Sequence, residues 1–276
     1  MLRKTHGENQ PEPGLGRRAR FDMGFLRLLI RFPLFLLHLL LGTPFTVLCQ
    51  YRPLRSLQIG RRTLGERTST WWSRTVCRIF GLKIEVRGAY REGPQLVVAN
   101  HISWIDIPLL HSEDVMGFVS KAEIADWPVI GYLARVGNTL FHRRGSHDSA
   151  SGVASVMQER LQQGGNVAIF PEGGILPGPG VKRFHGRLFA AAIETGSPVQ
   201  PVMIRYLRDG RHDHDMTFLP GEHFVGNFFR LMSQPACVAD MEILPRIESG
   251  DKQRRPLAFE AEAAVRAAFN AGVPDG

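Results

Sequence analysis

Between Phe32 and Cys49 the chain is apolar almost throughout, broken chiefly by His38 and by the helix-disrupting Pro33, Gly42 and Pro44. The run is about as long as the shortest helix that crosses a hydrocarbon core. Whatever the rest folds into, this segment must lie against lipid or inside a core. Basic residues bracket it: Arg17, Arg18, Arg20, Arg27 and Arg31 precede it, and Arg52, Arg55, Arg61, Arg62 and Arg67 follow. Cytoplasmic flanks carry the excess of Lys and Arg. Matched basic flanks therefore predict a segment that enters and leaves on one face, a re-entrant or interfacial anchor rather than a simple span. A cleaved leader is disfavoured, because no small-residue cleavage site follows and the approach to the apolar run is too long.

The 276 residues then divide into three expected parts. Residues 1–20 are polar, basic and rich in Pro and Gly, and are expected to be disordered. Residues 21–67 form the anchor region, and 68–276 suffice for one sizeable globular domain. The formal charge of +8 and pI near 9.9 point to a polyanionic partner: nucleic acid, an anionic membrane surface or an acidic carrier protein. Cys49, Cys77 and Cys237 are odd in number and far apart, which indicates neither a disulfide framework nor a zinc site and fits a reducing compartment.

From Thr68 to Gly81 the residues Trp71, Trp72, Val76, Ile79 and Phe80 recur at helical spacing. The two tryptophans suit either a lipid interface or core packing. Beyond Lys83 strands and helices alternate, the rhythm of an α/β fold. Strands are predicted over 83–88, 95–99, 118–120, 139–141, 166–170, 199–206 and 237–244. Helices are predicted over 105–111, 148–163 and 187–194, with a segment at 127–135 between two strands and a last helix opened by Pro256.

The chemistry-bearing residues fall at strand ends. Asn100-His101-Ile102-Ser103-Trp104-Ile105-Asp106 follows the apolar run Leu96–Ala99, and Phe170-Pro171-Glu172-Gly173 follows a second one. Sheets of this class place active sites there. Acyl transfer to a hydroxyl needs a base for its proton and donors for the oxyanion. His101 is the candidate base, and Asp106 the carboxylate that fixes its tautomer. A five-residue step separates side chains by about 140° on a regular helix, so the two meet only if His101 lies in the loop before the helix.

Here the chain resembles the glycerolipid acyltransferase family typified by bacterial 1-acylglycerol-3-phosphate acyltransferases, whose first motif is NHxSxxD. Asn100, His101, Ser103 and Asp106 fill it without a gap. Gly137-Asn138-Thr139-Leu140-Phe141-His142-Arg143 is similar to the second, acceptor-binding motif, with His142 where Asp is usual and Arg144 as a second cation. Phe170–Gly173 resembles the third motif, FPEGT, with Gly174 in the Thr position, and Val199-Gln200-Pro201-Val202 matches the fourth. The resemblance spans Val97 to Arg205. It implies a single acyltransferase domain with a mixed central sheet flanked by helices, beside the N-terminal apolar membrane-associated segment. It places Arg143, Arg144, Glu172 and Gly173 at the acceptor. Lys182 and Arg183, cations beside Phe184-His185-Gly186, are candidates by their charge to contact an anionic headgroup or the donor's phosphates.

The function this implies is esterification of a lysolipid hydroxyl on the cytoplasmic face of the inner membrane, with acyl-CoA or acyl carrier protein as donor and neither cofactor nor metal. The default acceptor is 1-acylglycerol 3-phosphate. A lyso-ornithine lipid or another lysolipid is the alternative, since His142 and Gly174 depart from the commoner pattern. A nucleic-acid-binding protein would explain the charge but not the apolar segment, and no RNP, zinc or helix-turn-helix signature is present. A non-enzymatic membrane scaffold would make His101 dispensable.

Overall fold

The computed structural model describes residues 15–121, 125–126, 131, 139–142, 147–175 and 180–272. Arg143, Arg144, most of the 127–135 segment and residues 1–14 lie outside the described residues.

Eight strands form one mixed sheet: β3 (Leu82–Arg87), β4 (Leu96–Ala99), β5 (Gly117–Lys121), β6 (Leu140–His142), β7 (Val167–Ile169), β8 (Val199–Arg208), β9 (Arg211–His212) and β10 (Cys237–Ile243). Their spatial order is β3-β10-β8-β4-β7-β5-β6, with β9 folded back on β8. The strands β8, β4, β7, β5 and β6 run parallel, whereas β10 is antiparallel to β8. A separate small hairpin joins β1 (Gln58–Ile59) to β2 (Arg62–Thr63).

Helices cover both faces, and the central strand shows why. On β4, Val97 and Ala99 face one apolar cluster with α3 (Leu64–Ile79), α4 (Asp106–His111) and α7 (Phe224–Ser233). Leu96 and Val98 face the other, with α5 (His147–Gln162), α6 (Ala190–Thr195) and α8 (Arg254–Asn270). All four side chains are buried, as expected of a parallel strand covered on both sides.

Pro201 sits within β8, a position proline usually avoids because it cannot donate to the ladder. Its carbonyl accepts from Leu244 N–H at 3.0 Å, and the reciprocal donor that proline lacks is supplied by the Gln200 side-chain amide, which donates to the Leu244 carbonyl. The Val-Gln-Pro-Val motif thus repairs its own defect.

The N-terminal segment is bolted to the domain. The helix α1 (Leu15–Leu37) continues through a π-helical turn at His38–Gly42 into α2 (Thr43–Cys49). Residues Met23–Cys49 are long and apolar enough to cross a membrane, by length and composition. Yet Phe35 makes ring contacts with Phe80, the residue that follows α3, and with Phe228 of α7, at 5.9 and 5.2 Å. Arg31 donates to the carbonyls of Met232 and Gln234 at 2.9 and 2.7 Å, satisfying the C-terminal end of α7.

The two tryptophans differ in burial. Trp72 packs on the core and donates to Thr43 Oγ1 at 3.1 Å, while Trp71 is 45% exposed. The helix that carries them starts earlier than its apolar spacing indicates. A capping box in which Thr63 and Glu66 exchange side-chain to backbone bonds opens α3 at Leu64, so the expected division at 67/68 falls inside a helix.

Candidate active site

The parallel neighbours β4 and β7 end side by side, with Val98 opposite Ile169. The loops that leave them carry His101 and Glu172, so topology brings together residues 71 apart in the chain. Asn100 sets the point of departure. Its side chain donates to the Ile204 carbonyl and accepts from the Ile204 N–H, both at 2.8 Å. The amide side chain thereby extends the ladder to β8 by one step after the β4 backbone has turned away.

His101 lies in the loop and Asp106 is the first residue of α4, the arrangement that lets them meet. Nδ1 of His101 is 2.9 Å from Asp106 Oδ2. The same oxygen accepts the N–H groups of Ile102 and Ser103 at 2.8 and 2.9 Å, and Tyr206 donates to Oδ1 at 2.6 Å. A carboxylate that only accepts requires Nδ1 to carry the proton, which leaves the Nε2 lone pair available. Asp106 is fully buried, so four donors replace the water it has lost. Ser103 is also fully buried, and its hydroxyl has no partner among the described residues.

Phe170 lies flat against the imidazole, with centroids 3.8 Å apart and planes 9° from parallel. One ring face is thereby shielded, and the histidine side chain is 12% exposed. Pro171 and Gly173 shape the turn that follows. The Gly173 N–H donates to the Phe170 carbonyl at 3.1 Å, with proline at the second position and glycine at φ 84° at the fourth.

Glu172, expected at the acceptor, is 4% exposed and turned inward. Its Oε2 accepts the His101 N–H at 3.0 Å and its Oε1 the Lys182 N–H at 2.8 Å. Burial pushes its carboxyl up from the ordinary value, against the pull of these two amides. Lys182 lines a cavity of about 50 Å³ with His101, Tyr206, His212, His214 and Thr217. Arg183 is exposed and is not part of that lining.

His142 ends β6 at the same sheet edge as His101, but three strands away in the order β4-β7-β5-β6, or about 14 Å at ordinary strand spacing. The arginines after it, Arg143 and Arg144, lie outside the described residues. Among the described residues no group of three or more His, Cys, Asp or Glu is placed to hold a metal. Phe170 and Tyr206 complete the site without having been singled out by the sequence. Phe170 stood within a recognised motif, whereas nothing local marks Tyr206.

A base held by a buried carboxylate at the carboxyl edge of an open α/β sheet is equipped to take a proton from a bound hydroxyl. Comparison with known proteins agrees with that class. A family model described as Acyltransferase matches residues 83–205. A lyso-ornithine lipid O-acyltransferase of Pseudomonas aeruginosa is 40% identical over 206 residues, covering 75% of this chain and 80% of that protein. A 1-acyl-sn-glycerol-3-phosphate acyltransferase of Neisseria meningitidis is 36% identical over 135 residues, covering 48% and 53%. The crystal structure of the 1-acyl-sn-glycerophosphate acyltransferase PlsC from Thermotoga maritima shares the fold, with a TM-score of 0.68 at 21% identity over 91% of this chain and 96% of that one. The chain belongs to the glycerolipid acyltransferase family. It is an acyltransferase of lipid biosynthesis that uses a lysolipid acceptor and an acyl donor.

Proposed function

We propose that the protein esterifies the free hydroxyl of a lyso-ornithine lipid, with acyl-CoA or acyl carrier protein as donor, at the cytoplasmic face of the inner membrane. The observation that carries the chemistry is the 2.9 Å contact between His101 Nδ1 and Asp106 Oδ2. With Nδ1 protonated, Nε2 takes the proton of the acceptor hydroxyl as its oxygen attacks the thioester carbonyl. The tetrahedral intermediate collapses with cleavage of the C–S bond, and the imidazolium returns its proton to the leaving thiolate. Asp106 stabilises the imidazolium in between. No covalent enzyme intermediate, metal or cofactor enters this scheme.

The acceptor assignment rests on the 40% identity across 80% of a lyso-ornithine lipid O-acyltransferase. His142 and Gly174, where the commoner acceptor motifs have Asp and Thr, point the same way. The second reading is 1-acylglycerol 3-phosphate, favoured by the Neisseria relative over a shorter span.

Purified protein assayed with each lysolipid and a thioester donor separates the two, as does mass spectrometry of lipids from a deletion strain, in which the unused acceptor accumulates. His101→Ala is expected to abolish transfer with folding and membrane recovery intact, and Asp106→Asn to reduce it severely by admitting the wrong tautomer. Near-normal turnover in His101→Ala would rule out the mechanism.

A further inference from the structure

Tyr206 lies one residue past the matched segment 83–205 and outside all four motifs, yet it touches the dyad directly. Its ring is buried to 1% exposure against the α3, α4 and α7 side of the sheet. The hydroxyl donates at 2.6 Å to Asp106 Oδ1, while Oδ2 faces His101. Tyr206 and Ile204 alternate onto one face of β8, and Ile204 is the residue Asn100 clamps. The Asn100 clamp therefore sets the register that aims the phenol at Asp106.

We infer that Tyr206 is a positioning residue of the dyad: its hydroxyl holds the Asp106 carboxylate with Oδ2 turned to His101 and sets how strongly that carboxylate polarises the imidazole. The inference rests on the proposed role of His101 as base. Among the described residues Oδ1 has no other donor. Without the phenol, the carboxylate charge is shared with one partner fewer and the carboxylate is held at Oδ2 alone.

The surrounding titratable groups leave this interaction in control. Cys77 of α3 and Cys237 of β10 face the phenol, and burial pushes both thiols up, Cys237 to about 12, so both stay neutral in the working range. Glu172 faces His101 from the β7 turn, and Lys182, His212, Asp213 and His214 share the cavity with it. Glu172 spends both its oxygens on backbone amides.

The test is the pH profile of kcat/KM for Tyr206→Phe, which keeps the ring and removes only the donor. A carboxylate relieved of this bond stabilises the imidazolium more, so His101 gives up its proton at higher pH. The acid limb is expected to move up by about half a unit to one unit, with kcat at the plateau down about tenfold and the acceptor KM within about twofold. Site-specific 3-fluorotyrosine at position 206 keeps the fold and strengthens the donor, and should move the limb down.

Cys237→Ala, which disturbs the same core without touching Asp106, serves as the packing control and should lower Tm with the limb in place. An unmoved limb in both Tyr206 variants, or a change confined to Tm, would show a purely structural tyrosine. A raised acceptor KM on an unchanged profile would make Tyr206 a wall of the acceptor site, and either result overturns the inference. His101→Ala runs beside them. If it stays active, the dyad itself fails; if it is dead while the Tyr206 profiles stay put, only the role of Tyr206 falls.

Discussion

The backbone N–H of His101 donates to Glu172 Oε2 at 3.0 Å, so the acidic residue of the Pro-Glu-Gly turn holds the histidine by its main chain and leaves the ring to Asp106. Its other oxygen holds the backbone of Lys182. One carboxylate thus fixes the loop after β4 and the strand-free segment beside it to the end of β7.

Glu172→Gln tests whether that is its main task. A carboxamide has one acceptor oxygen, so its NH2 would confront one of the two backbone donors. A buried donor left unpaired costs about 1–3 kcal/mol, and a displaced His101 backbone misplaces the base. We expect kcat to fall about tenfold to a hundredfold with the acceptor KM nearly unchanged, measured by varying each substrate separately. A raised acceptor KM with kcat intact would instead support the acceptor-site role that the resemblance implies.

A second network ties α7 to the active-site loop and should be visible in stability against pH. Arg230 forks onto Glu222 at 2.7 and 2.8 Å, Asn227 donates to Glu222 at 2.8 Å, and the Asn227 oxygen accepts the Trp104 indole N–H at 3.0 Å. The Arg230 hydrogen bonds hold the Glu222 carboxyl down from 4.5 to about 2. A depressed folded-state pKa means stability that is present above the unfolded value and lost as pH falls from about 4.5 toward about 2. Glu222→Gln is expected to lower Tm at neutral pH and to flatten the decline across that window. Parallel acid-unfolding curves for the two proteins would show that the pair contributes nothing.

Much of this architecture is legible in the chain because its signals are local. The apolar runs before Asn100 and Phe170 read as buried strands, and Pro171 and Gly173 announce a turn. The helix Phe224–Ser233 is a harder case, since Gly226 and Asn227 interrupt it and its ends carry no side-chain cap. It exists because Phe228 packs on Phe35 and Phe80 and because Arg31 satisfies its last carbonyls, and all of these are distant in sequence. Within the site, the Asn100–Asp106 spacing is readable, whereas Tyr206 reaches Asp106 across 100 residues by strand register alone. The partners of Glu172 are backbone amides, to which a sequence pattern is blind.

The packing of α1 also decides how membrane attachment can be tested. A chain cut near Thr68 would open α3 one turn late and uncover Phe80 and Phe228, so we expect it to aggregate rather than to report on binding. The exposed face of the same segment offers a cleaner probe: Leu40, Leu41 and Leu48 are 70%, 61% and 57% exposed, while Phe32 and Phe35 pack inward. Changing the three leucines to Gln removes exposed apolar area without touching the core. Full burial of a leucine is worth about 1.5–3 kcal/mol, so partial insertion of three should still lower membrane recovery more than about tenfold while Tm stays within a few degrees. The remaining association should weaken with salt, because each flanking arginine near an anionic surface contributes about 1 kcal/mol. Vesicle co-sedimentation at low and high salt measures both effects, and full recovery of the triple variant would show that this face is not the one that meets lipid.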